Sequence, residues 1–174
     1  MNVRPDITVE APCPGWRDAL ADCDGLCRDA ALAAVAAGHP EDCPADIEIG
    51  IRLTDDAEMR SLNARYRGLD EATNVLAFPM TFCALGAPRP PGPPLALGDV
   101  VLAFETVRGE TAAQGKSLAD HLSHLVVHGT LHLLGYDHHD EAEALTMEDL
   151  ETGILAGLGV ADPYQADHKQ RRAR

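Results

Sequence analysis

The sequence predicts an α+β fold, a mixed sheet of about four strands with helices packed on it. Three observations predict it. Ile47, Ile49, Ile51 and Leu53 alternate with Glu48, Gly50 and Arg52, the period of a half-buried strand. Asp55, Ser117 and Asp140 each stand three residues ahead of an acid, at the head of a run with helical apolar spacing. Strands and helices mix without regular βαβ alternation, and no internal repeat interrupts them.

The elements follow in order. Asp6 to Glu10 reads as a short strand. Trp16 to Ala37 reads as one helix, with Trp16, Leu20, Cys23, Cys27 and Val35 at apolar positions and Gly38 and Pro40 as its stop. After the alternating strand, Asp55 and Glu58 cap a short helix that carries Met59, Leu62 and Tyr66. Asn74 to Phe78 is a strand ended by Pro79. Residues 79–97 read as a loop, stiffened by five prolines between Pro88 and Pro94. Gly98 to Phe104 is a further strand, and Glu105 to Gln114 a helix. Ser117 with Asp120 caps a helix running to Leu134. Asp140 with Glu143 caps a last helix, with Met147, Leu150, Ile154 and Leu158 on one face.

Composition bounds the function. A chain of 174 residues with 45% hydrophobic content suits one compact domain, expected over residues 1–167. Residues 168–174, His-Lys-Gln-Arg-Arg-Ala-Arg, read as a basic, disordered tail. The net charge of −14 argues against general affinity for nucleic acid or anionic membrane. Any RNA contact must therefore use a local basic patch or the tail. No apolar run approaches the ~20 residues of a membrane span, and Met1 to Asp6 lacks a signal-peptide apolar region. The expected location is the cytoplasm. Five cysteines without framework spacing suit reduced thiols there. Cys23 and Cys27 are spaced like half a metal site, but small apolar core residues are the simpler assignment.

The chemistry concentrates in His128-Gly129-Thr130-Leu131-His132-Leu133-Leu134-Gly135-Tyr136-Asp137-His138. Residues four apart share a helix face, so His128 and His132 point at one ion. Gly135 ends the helix and lets His138 return as a third ligand. Three neutral imidazoles with an open fourth position suit a catalytic zinc, one per chain. Nickel and other divalent ions also suit such a set. The spacing is that of metzincin peptidases, which carry Glu directly after the first His as general base. Here that residue is Gly129, which moves the expected chemistry away from peptide bonds. His121 and His124 extend the same face. His124 and Asp137 are candidates for hydrogen bonds behind the ligands, and Asp137 equally suits a turn. His139 is expected to face water.

Several segments, in order, resemble the YbeY family of bacterial endoribonucleases. They are Leu62-Asn63-Ala64-Arg65-Tyr66-Arg67-Gly68, Thr73-Asn74-Val75-Leu76-Ala77-Phe78-Pro79, Leu97-Gly98-Asp99-Val100-Val101, the histidine motif, and Asp162-Pro163-Tyr164. The resemblance spans roughly residues 47–164, and the histidine motif with its glycine is the specific part. Ala77 stands where the family usually has Ser, and the stretch Pro88–Pro94 is unusually proline-rich. The resemblance implies zinc ligands His128, His132 and His138, and catalytic roles for Arg67 and His128. It implies cleavage of single-stranded RNA in 3′-end maturation of small-subunit ribosomal RNA and in ribosome quality control. The implied partners are the small ribosomal subunit and its assembly factors, with no DNA and no membrane.

Arg67 offers a planar, always-charged fork suited to phosphate. No strong general base is visible, so Asp137 or a second water are the candidates. Two other functions remain open on these residues: a non-catalytic, metal-stabilised assembly factor, and a peptidase that has moved its base elsewhere.

Overall fold

A computed structural model describes residues 4–39, 46–80 and 93–165. The expectations for Pro40, Cys43, Cys83, most of the proline-rich stretch and the basic tail lie outside the described residues. Four strands, β1 (Arg4–Glu10), β2 (Asp46–Thr54), β3 (Val75–Pro79) and β4 (Leu95–Ala103), form one sheet in the order β1-β2-β4-β3. The first two pairings are parallel and β3 runs antiparallel to β4, so the sheet is mixed. Six helices accompany it: α1 (Pro14–Ala19), α2 (Cys23–Gly38), α3 (Asp56–Arg67), α4 (Phe104–Gln114), α5 (Leu118–Leu133) and α6 (Glu141–Gly157).

Alternation along β2 decides which sheet face is covered. Ile47, Ile49, Ile51 and Leu53 are buried, and they join Val100 and Leu102 of β4 under α2 and α5. Helix α6 packs outside these, against α5 and α2. On the opposite face α3 covers the β3–β4 half, where Met59 packs on Leu76, Val101 and Ala103. Tyr66, assigned to the apolar side of α3, is instead 58% exposed and rests edge-on against Phe78.

All three helix caps form as the sequence suggests. Asp55, Ser117 and Asp140 accept from the backbone N–H of Glu58, Asp120 and Glu143 at 2.8, 3.0 and 2.8 Å. Each satisfies one of the donors a helix start leaves open.

Most element ends fall within a residue or two of the sequence expectation, and two elements differ more. The single helix from Trp16 to Ala37 is two, because Leu20 is extended (φ −136°, ψ 98°) and ends α1. Asp22 in the join, Asp18 before it and Asp24 and Gly25 after it are residues of weak helix preference. Trp16 holds α1 separately, donating from Nε1 to the carbonyl of Thr54 at 3.0 Å at the end of β2. The second difference is β4, which begins at Leu95 rather than Gly98 and ends at Ala103, with Phe104 starting α4. Register against β2 shifts where Glu48 pairs Ala96 and Ile49 pairs Gly98, so Leu97 is the extra residue of a bulge. Gly98 has φ +136°, and a Cβ there would lie 2.1 Å from the carbonyl oxygen of Phe78. A glycine in that position reads as a strand start, although the strand runs through it.

Candidate metal centre

Helix α5 crosses the covered sheet face and ends beside β3, carrying His128 and His132 one turn apart on its exposed flank. The chain leaves the helix in a Schellman arrangement: Gly135 N–H donates to His132 O at 3.1 Å and Tyr136 N–H to Leu131 O at 3.0 Å. Gly135 takes φ +99°. This turn reverses the chain and brings His138 back over the helix end.

One nitrogen from each of His128, His132 and His138 lies within 4.8 Å of the others, the one such metal-capable group among the described residues. His128 Nε2 and His132 Nε2 are 3.1 Å apart, and the rings of His128 and His138 are nearly parallel at 5.9 Å. Burial lowers the pKa of His132 below its ordinary value, and the neighbouring His128 and His138 lower it further. Imidazoles converging in this way fit a divalent ion of the zinc type. Cys23 and Cys27 are not part of any such group. Both are fully buried in the core, and burial pushes the Cys27 thiol up.

The centre opens into a cleft of about 550 Å³, lined by Arg67, Asn74, Ala77, Tyr136 and the three histidines. Arg67 reaches it from the last turn of α3, which Gly68 closes at φ +72°. Arg67 is exposed and, among the described residues, forms no ion pair. By contrast Arg52 is tied to Glu10 and Glu58, and Arg60 to Asp70. An acid-rich chain has thus left one guanidinium open at this cleft.

The remaining predicted residues stand as follows. His124 lies outside the three-nitrogen group; its Nε2 is 3.1 Å from Glu151 Oε2 and 3.3 Å from the Tyr164 hydroxyl. His121 is paired with Glu110 at 2.7 Å, away from the centre. Asp137 accepts from the backbone N–H of His138 at 2.8 Å, which holds its carboxyl below the usual range. Its other oxygen meets His139, whose side chain is 82% exposed. Asp137 therefore shapes the turn that delivers His138 and touches no ligand ring.

Sequence reasoning missed Glu151. It projects from α6 and is 1% exposed, with Oε1 2.6 Å from His128 Nδ1. Burial alone would raise its pKa, but hydrogen bonds from His124 and His128 outweigh that and hold it at about 2. Tyr164, from the Asp162-Pro163-Tyr164 segment, donates its hydroxyl to Oε2. A signal was present: Glu151 falls four residues after Met147 and three before Ile154, a charge inside the buried stripe of α6.

Gly129 has a structural reason as well. A Cβ there would lie 2.5 Å from Val100 Cγ1, so α5 sits directly against β4 at this residue. The direction in which a peptidase glutamate would project is filled by the sheet.

A family model described as Endoribonuclease YbeY matches residues 26–159. The Endoribonuclease YbeY of Paramagnetospirillum magneticum is 52% identical over 164 residues, spanning 94% of this chain and 98% of the relative. That of Rhodospirillum rubrum is 51% identical, spanning 86% of this chain and 76% of the relative. The solution structure of a Thermotoga maritima protein aligns with a TM-score of 0.52 at 18% identity, over 91% of this chain and 98% of that one. At that identity the likeness shows the fold. No helix among the described residues is long and apolar enough to cross a membrane. The chain belongs to the YbeY endoribonuclease family.

Proposed function

From that membership, we propose that the chain is a zinc-dependent, single-strand-specific endoribonuclease. Its proposed task is 3′-end maturation of small-subunit ribosomal RNA and ribosome quality control in the cytoplasm. The proposed partners are the small ribosomal subunit and its assembly factors. The observation that carries this reading is the convergence of His128, His132 and His138 within 4.8 Å in a cleft that Arg67 also lines.

His128, His132 and His138 are the proposed ligands of one zinc ion per chain. When bound, that ion supplies a Lewis acid that acidifies a water toward pKa ~7 and offsets charge on phosphate oxygens. Arg67 binds the non-bridging oxygens through its planar fork and orients the phosphodiester against the histidine group. It stabilises the negative charge that grows there in the transition state. Asp137 holds the turn and so keeps His138 facing the cleft. A net charge of −14 argues against general affinity for nucleic acid, so RNA is expected to meet the chain locally, at the cleft that Arg67 lines. Packing of Gly129 on Val100 speaks for a phosphodiester rather than a peptide bond, because it leaves no room for the peptidase glutamate. Residues 1–167 are the proposed catalytic unit.

The test uses protein stripped of metal and reloaded with zinc, offered single-stranded RNA, duplex RNA and casein. Single-stranded RNA should be cut only after reloading, with duplex and casein left intact. Casein cleavage lost in His128→Ala would overturn the nuclease assignment in favour of a peptidase. Zinc binding without cleavage of any substrate would turn the centre into a structural one, as in a non-catalytic assembly factor.

A further inference from the structure

We infer that Glu151 is the positioning residue of the metal centre: it fixes which ring nitrogens of the α5 histidines are bare. The inference rests on the ligand set proposed above. Helical spacing alone does not say why His128 faces the ion and His124 does not, since both lie on the same face one turn apart.

The carboxylate of Glu151 separates them. Oε1 lies 2.6 Å from Nδ1 of His128, and Oε2 lies 3.1 Å from Nε2 of His124 and takes the Tyr164 hydroxyl. An ionised carboxylate only accepts, so each of these nitrogens must carry its proton. His128 is then an Nδ1–H tautomer with Nε2 bare, and that nitrogen is the one 3.1 Å from His132 Nε2. His124 is the opposite tautomer, with Nε2 spent on Glu151. Its bare Nδ1 is buried and, among the described residues, has no hydrogen-bond partner. One buried carboxylate from α6 thus imposes opposite tautomers on two histidines a turn apart, and leaves only the first with its bare nitrogen turned toward His132. Tyr164 holds the carboxylate from the far side and ties the Asp162-Pro163-Tyr164 segment to the centre.

Glu151→Gln is the informative change, since it keeps volume and replaces one acceptor oxygen by a donor. The amide oxygen should stay with the two donors His124 and Tyr164, which turns the NH₂ group toward His128. His128 must then accept at Nδ1 and carry its proton on Nε2, the nitrogen meant for the ion. Histidine-labelled, metal-free protein at a pH where imidazoles are neutral reports the tautomers through two-bond ¹⁵N–¹H correlations. Wild type should show His128 as Nδ1–H and His124 as Nε2–H. Glu151→Gln should shift His128 to Nε2–H and weaken zinc affinity, measured by chelator competition, by about 10–100-fold.

If Glu151→Gln does not fold, the wild-type spectrum decides alone, because an Nε2–H tautomer at His128 overturns the inference. A folded Glu151→Gln protein with unchanged zinc affinity overturns it too. Wild-type protein that binds no zinc would overturn the centre itself and the positioning role with it. The two failures are distinct, since the first two outcomes leave the ligand set standing.

Discussion

The two ends of the histidine stripe on α5 use the same side chain toward opposite ends. Near its start His121 is 5% exposed and lies 2.7 Å from Glu110, which Asn74 also holds at 3.1 Å. Near its end the rings of His132 and His138 meet His128 and, among the described residues, hydrogen-bond to no carboxylate. Burial lowers the pKa of both His121 and His132. What differs is the partner each nitrogen finds: a carboxylate from α4 at one end, two further imidazoles at the other. Helical period lines the rings up, and residues from other elements decide which nitrogens stay free for an ion.

The largest effect expected from breaking this contrast is loss of the metal. His132→Ala should purify without stoichiometric zinc, whereas His121→Ala should keep one ion per chain while losing about 1–3 kcal/mol of stability, because Glu110 loses its imidazole partner. Elemental analysis with thermal unfolding reads both, and zinc retained in His132→Ala removes the site. The pH response follows from sign. His132 has its folded pKa lowered from 6.5, so its contribution to stability is present above 6.5 and is lost as pH falls toward the lower folded value. Zinc affinity should accordingly weaken as pH falls below 6.5, because protons compete with the ion for the imidazole.

Arg67 sharpens the contrast next, since it shares the cleft with the histidines without being one of the nitrogen donors. Arg67→Ala should bind zinc and fold as wild type does, yet cleave RNA on the order of 10²–10³ more slowly. Arg67→Lys should recover only part of the rate, because an ammonium lacks the bidentate fork. The quantity to compare is the cleavage rate per zinc-loaded chain. Equal rates for wild type and Arg67→Ala would take Arg67 out of the mechanism and favour the assembly-factor reading.

Legibility in the sequence follows the range of the interaction. The caps at Asp55, Ser117 and Asp140, the Gly135 turn and the alternation of β2 are each settled within a few residues, so local spacing reveals them. The histidine group is legible for the same reason, being built from one helix and its own stop. The break at Leu20 depends on Trp16 reaching Thr54, 38 residues away in sequence. The bulge at Leu97 depends on register with β2. Glu151 meets His128 across 23 residues and from another helix, and nothing near the motif announces it. Only the misfit of a charge in the buried stripe of α6 could have drawn attention to it.

The smallest expected effect concerns Gly129, where absence of a base and closeness of packing are two explanations of one residue. If Gly129 mattered only by not being Glu, alanine would be harmless there, and in a helix interior it would stabilise by about 1 kcal/mol over glycine. Gly153 of α6 supplies that reference, because nothing lies within 4 Å of a Cβ built on it. At Gly129 the new methyl would fall 2.5 Å from Val100 Cγ1 and 3.1 Å from Val100 Cγ2. Val100 is fully buried in the middle strand region and cannot swing away. Overpacking of this kind costs about 1–3 kcal/mol, enough to outweigh the gain in helix preference. Gly153→Ala should therefore raise the unfolding midpoint and Gly129→Ala lower it. Zinc affinity should fall with Gly129→Ala as well, since α5 must lift from β4 next to His128. If both alanine variants were stabilised alike, close packing would not be the reason for Gly129, and the missing glutamate alone would have to explain it.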